Sequence, residues 1–186
     1  MKKFLLSIII ALVATMLINL PVSHAKQVRF ADVGAENFVA QIKQILYSDD
    51  FKKSVNSWEK YTVRPPILTD VFLDRNFDFS GDGLTAWSCY YGREDSTEKD
   101  GQLVFLTDGG GYVFEVIMIA HKTPSSAQAG AAILTAFLPL MNLTESEHQA
   151  LYKNGNTWSS HNNRRYTMAL QYTEYETYIS FQAFDS

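Results

Sequence analysis

Two apolar runs, QLVFLT and YVFEVIMIA, flank Asp108, Gly109, Gly110 and Gly111 within residues 102–121. Strand-forming residues that reverse at a glycine-rich turn predict a hairpin. Val116, Ile117, Met118, Ile119 and Ala120 follow one another without a polar break, so neither face of the second strand can rest in water. Both faces need cover. Strict alternation would put Phe114, Val116 and Met118 on one face and Val113, Glu115, Ile117, Ile119 and His121 on the other.

On the N-terminal side, Phe38, Ile42, Ile45 and Leu46 mark one face of a helix over residues 35–47. Ser48, Asp49 and Asp50 stop it and cap a second short helix with Phe51, Val55 and Trp58 on its apolar face. Pro65 and Pro66 end the helical region. Alternation then runs through Val71, Leu73, Phe77 and Phe79 to a turn at residues 80–83, followed by a strand carrying Trp87, Cys89 and Tyr91 and a charged loop over 92–101.

Beyond the hairpin, Thr123-Pro124 is a helix start, with threonine as cap and proline where its missing N–H costs nothing. This helix is expected to reach about Leu138 and to lie against the sheet through Ala127, Gly130 and Ala131, so that a methyl added at Gly130 would overpack. Thr144 and Glu147 form a capping box for a short helix ending near Gly155. Residues 156–163 read as a polar loop. Tyr166, Met168, Leu170 and Tyr172, then Ile179 and Phe181, mark a second hairpin that turns at 173–177. The expected class is α+β, a mainly antiparallel sheet of about six strands packed by two helix pairs in the order αα-ββββ-αα-ββ. The helix-pair-then-hairpin order occurs twice, without a matching repeat in the residues.

The chain opens with Lys2 and Lys3 before an apolar run over residues 4–20, then Pro21 and the small residues Ser23 and Ala25. Residues 1–25 are therefore expected to be a signal peptide cleaved after Ala25, which makes the protein secreted or periplasmic and leaves 26–186 as a single domain not inserted in a membrane. The leader takes two lysines and no acid from 16 basic and 20 acidic side chains, leaving 14 and 20 and a formal charge of −6. That balance excludes a nucleic-acid footprint, since the densest basic spot is the pair Arg164 and Arg165. Cys89 is the only cysteine, so stability must come from packing rather than an intramolecular disulfide.

Candidate chemistry is sparse, and no cofactor fingerprint is present. Asp74, Asn76 and Asp78 stand at alternate positions like the opening ligands of a calcium loop, but Phe79 replaces the required glycine and Thr85 the closing glutamate. Cys89 with His121 or His161 is the minimum for thiol chemistry, yet a lone cysteine between Trp87 and Tyr91 reads as a buried hydrophobe. Glu115 and His121 share a face but are six residues apart, roughly 20 Å along a strand, too far to act as a dyad. Glu115 is expected to reach a strand end or pair with Arg93 or Arg165. The Asp108–Gly111 turn joins two strands, not a strand to a helix, so it is no phosphate loop.

The remaining signal is aromatic. Trp158, Tyr166, Tyr172, Tyr175 and Tyr178 lie close in sequence to Arg164 and Arg165, a combination favoured at binding surfaces. The expectation is an exported, non-catalytic binding or interaction domain of the bacterial cell envelope. Its ligand would be a protein, peptide or envelope polymer held by Trp158, Arg164, Arg165, Tyr172, Tyr175 and Tyr178. The competing reading is an envelope hydrolase or thiol enzyme using Cys89, Glu115 or His121, and a third is a structural or inhibitory partner in a larger assembly.

Overall fold

The computed structural model describes residues 30, 33–56, 65–77, 83–93, 99–141, 143–154, 156–159 and 164–185. Helices α1 (Ala35–Leu46) and α2 (Asp49–Asn56) lead into two short strands, β1 (Ile67–Leu68) and β2 (Phe72–Leu73), and then β3 (Thr85–Gly92), β4 (Gly101–Thr107) and β5 (Val113–His121). Helix α3 (Pro124–Phe137), a 3-10 turn (Leu138–Met141) and α4 (Glu145–Asn154) precede β6 (Asn156–Ser159), β7 (Arg164–Tyr172) and β8 (Glu176–Asp185). The strands form one antiparallel sheet in the order β1-β3-β4-β5-β8-β7-β6, with β2 also paired to β3. The protein is α+β. Residues 1–25 and Trp58, Asp78, Phe79 and His161 lie outside the described residues. No helix among the described residues is long and apolar enough to cross a membrane.

The local signals act as their chemistry requires. Ser48 Oγ accepts from the Phe51 N–H, Thr123 Oγ1 from the Ser126 N–H, and Glu147 Oε2 from the Thr144 N–H, so three helix starts have a side chain on an otherwise orphaned donor. Asp108 Oδ1 accepts from the N–H groups of Gly110 and Tyr112, and Gly111 takes φ +79°, which closes the β4–β5 turn.

Three expectations need correction. The alternating stretch after Pro66 is not one strand but two short bridges, β1 and β2, both on the outer edge of β3. Residues 156–159 form β6, an edge strand that Asn156 to Ser159 could not announce with polar side chains and that exists because β7 offers it a partner. The face of α3 is also displaced: Ser126, Ala129, Gly130, Ile133, Ala136 and Phe137 are buried, whereas Ala127 and Ala131 are exposed. An alanine-rich helix offers no contrast by which sequence can select its inner face.

The helices pack on one side of the sheet, where Phe30, Phe38, Phe105, Phe137, Tyr166 and Phe181 form the centre of the larger core. On the other side, Ala86, Val104, Leu106, Phe114, Ile117, Ile119 and Tyr178 make a second apolar cluster, joined by Phe77 and Leu84. Both faces of β5 are therefore buried, as its unbroken run required. A β-bulge changes the alternation: Leu106 faces Glu115 and Thr107 faces Val113, so Phe114 is the extra residue. Phe114 thus joins Ile117 and Ile119 on the far face, and Val113 joins Val116 and Met118 beneath the helices.

Tyr91 lies between sheet and helix over three small residues, Gly101, Ala120 and Gly130, and its hydroxyl donates to the Ile119 carbonyl at 3.1 Å. A methyl at Gly130 would sit 3.4 Å from Met118 Cε and 3.7 Å from Tyr91 Oη, ordinary contact distances. The overpacking expected from sequence is thus absent for alanine, although the helix is buried. Gly130→Ala is expected to raise stability by up to about 1 kcal/mol through helix propensity, and Gly130→Val to lower it by about 1–3 kcal/mol as its further carbons meet Met118 and Tyr91. Urea midpoints of the two variants check both signs.

Candidate functional site

The groups with the most exposed aromatic surface gather where β5 ends and β7 turns into β8. Thr173 Oγ1 accepts from the N–H groups of Tyr175 and Glu176 and so closes that turn. The Lys122 N–H donates to the Tyr175 carbonyl, and Lys122 Nζ sits 5.9 Å from the centre of the Tyr172 ring. Tyr172 is 64 % exposed and Tyr175 72 %, with Leu170 at 46 % two residues back on the face of β7 that carries Tyr172. These four side chains form an open patch at one corner of the sheet.

Of the sequence-derived binding residues, Tyr172 and Tyr175 are in this patch and Tyr178 is not. Pairing places Tyr172 opposite Thr177, so Tyr178 points to the far face, 5 % exposed, with its hydroxyl donating to Glu176 Oε2. Burial and the adjacent carboxylate push the Tyr178 phenol well above its ordinary range. Tyr166 is wholly buried against Phe30, their ring centres 5.2 Å apart. Arg164, Arg165 and Trp158 lie in paired strands, Trp158 across from Arg165 on β6 and Arg164 across from Asp185 on β8.

The candidate catalytic residues are dispersed. Cys89 is fully buried beneath the helices, and burial pushes its thiol up to about 12, partly offset by the Lys43 charge, so it is a protonated core residue at neutral pH. Glu115 and His121 do share the far face, but each has its own neighbour. His121 Nε2 lies 3.7 Å from Glu176 Oε1, a pairing that sequence separation concealed. Glu115 does not pair with Arg93, and although it lies only two residues inside the start of β5 its carboxyl is buried. Its Oε1 accepts from Ser180 Oγ at 2.6 Å inside the apolar cluster, on the face it shares with Ile117 and Ile119.

Asp74 is engaged on both carboxylate oxygens, Oδ1 by the N–H and side-chain amide of Asn76, and Oδ2 by Ser88 Oγ and Gln102 Nε2, all at 2.8–3.0 Å. It ties the β2 edge to β3 and β4 rather than offering an open ligand. Among the described residues no group of three or more His, Cys, Asp or Glu side chains is placed to hold a metal ion. Asp100, which sequence reasoning passed over, is buried at the start of α3: its Oδ1 accepts from Ser125 Oγ at 2.7 Å and its carbonyl from Ser126 Oγ. An aspartate at the close of a charged run, one residue before β4, gives no sequence signal of burial. No protein-family model, curated protein or solved structure matches the chain.

Proposed function

We propose that this protein is an exported, non-catalytic binding domain of the cell envelope, and that its contact surface is the corner formed by Leu170, Tyr172, Tyr175 and Lys122. One observation carries the reading. Two tyrosines, 64 % and 72 % exposed, flank a side chain-locked turn on a sheet whose other large aromatic residues are mostly buried. Tyrosine supplies wide, rigid, amphipathic contact with little rotamer entropy to lose, and a lysine over one ring adds a charged donor beside it. The exposed Glu174 stands in the same turn, so the patch suits a ligand of mixed polar and apolar character, such as a peptide or a glycan-containing polymer, better than a polyanion.

Co-sedimentation with purified insoluble cell-wall polymer, and titration against an immobilised library of extended peptides, test this. The double variant Tyr172→Ala/Tyr175→Ala is expected to lose binding at least about tenfold, the effect of removing hot-spot aromatics. Its urea midpoint should hold, since neither ring is in the core. Undiminished binding by the double variant would remove this corner from the function.

A further inference from the structure

Glu115 occupies a place a carboxylate should avoid. It is 6 % exposed, near the turn end of the central strand pair, with Phe114, Leu106 and Ile117 of the apolar cluster around it. Its hydrogen-bond partner is the Ser180 hydroxyl across the β5–β8 ladder, and no lysine, arginine or histidine among the described residues lies within ion-pair distance. The bulge that absorbs Phe114 lies immediately before it, in the β4–β5 ladder. Bulges locally interrupt the ladder and commonly serve to re-aim one side chain, so the acid sits where strand pairing is already weakest.

We propose that Glu115 is a proton-held clasp between β5 and β8: the native sheet keeps this carboxyl neutral, and its ionisation loosens the end of that ladder that begins at the Glu115–Gln182 pair.

The groups facing it are Leu106 from β4 and Ser180 and Gln182 from β8, none ionisable. Farther off on the same face stand Asp74, tied to Ser88 and Gln102, the Tyr90 phenol at the β3 edge, and the His121, Glu176 and Tyr178 group at the other end of the ladder. Among the described side chains, therefore, no cation stands beside it to hold the ionised form. Burial pushes the Glu115 carboxyl above its ordinary range, and the Ser180 hydrogen bond offsets part of that. A carboxyl whose folded value is raised contributes stability that is complete below its unfolded value. That contribution is lost as pH rises through the folded value, because there the native state holds the extra proton. The sign is opposite to that of a salt-bridged carboxylate.

Urea midpoints of wild type and Glu115→Gln across pH 4–9 read the effect, since glutamine keeps the shape and the hydrogen bond to Ser180 but has no proton to lose. The wild-type midpoint is expected to fall relative to that of Glu115→Gln as pH rises, leaving the variant the more stable protein at pH 8. Amide exchange at residues 113–117 and 180–183, corrected for its intrinsic base catalysis, should quicken with pH in the wild type and not in the variant. Parallel midpoint curves, or exchange that quickens evenly over the whole sheet, would overturn the clasp. A carbon-13 titration of the Glu115 carboxyl in the wild type decides the matter even if the variant folds poorly, and titration in the ordinary carboxylate range would refute the proposal.

Discussion

Gly101→Ala is expected to destabilise the protein by about 3 kcal/mol or more, the upper end of what overpacking usually costs. A Cβ at this position would lie 2.2 Å from the Ile119 carbonyl oxygen and 2.3 and 2.4 Å from Tyr91 Oη and Cζ. Part of that crowd is a side chain and could move, but the carbonyl belongs to the backbone of the central strand. Truncating Tyr91 as well should therefore not restore stability: Gly101→Ala/Tyr91→Ala is expected to be less stable than Gly101→Ala alone. Urea denaturation of the three proteins provides the comparison. A wild-type midpoint for Gly101→Ala would mean that the register placing Gly101 opposite Tyr91 and Ala120 is wrong.

Phe137→Ala should cost about 3–5 kcal/mol, the range for truncating a buried phenylalanine. The upper end is expected. Phe137 is 2 % exposed and meets three other rings, with centres 5.4 Å from Phe30, 5.9 Å from Phe38 and 5.0 Å from Phe181, each worth about 0.5–1.5 kcal/mol beyond burial alone. It also lines a small apolar void of about 10 Å³ bounded by Ile42, Leu103, Met118, Ile133 and Phe181, so truncation enlarges a gap already present. An apolar cavity enlarged to about 150 Å³ stays dry and binds benzene. Saturating benzene should raise the urea midpoint of Phe137→Ala and leave that of the wild type unchanged. Collapse of the site would show instead as a smaller loss and no response to benzene.

What sequence made legible follows from which physical signals are local. The β4–β5 hairpin could be read because Asp108 and three glycines act within four residues, and the unbroken run from Val116 to Ala120 already demanded a sheet covered on both sides. Caps at Thr123 and Thr144 are equally local. The bulge at Phe114 depends on pairing with Leu106 and Thr107, and no pattern within β5 reveals it; one inserted residue was enough to exchange the faces of Val113 and Phe114. The aromatic patch divided for a related reason. Tyr172 and Tyr178 can share a face or oppose each other according to the length of the turn between them, and Thr173 fixes a turn that sets them on opposite sides. His121 met Glu176 only because β8, fifty-five residues onward, lies beside β5.

The strand order 3-4-5-8-7-6 divides the long strands into two meanders, each assembled from neighbours in the chain and each following a helix pair. A single ladder, β5 to β8, joins them, with Met118 opposite Ile179. Pairing within a meander closes short loops and carries a small entropic penalty, whereas the joining ladder must close a loop of about sixty residues before any of its contacts form. The kinetic barrier to folding is thus concentrated at one seam, and substitutions along β5 and β8 should slow folding where those in the outer strands mainly speed unfolding.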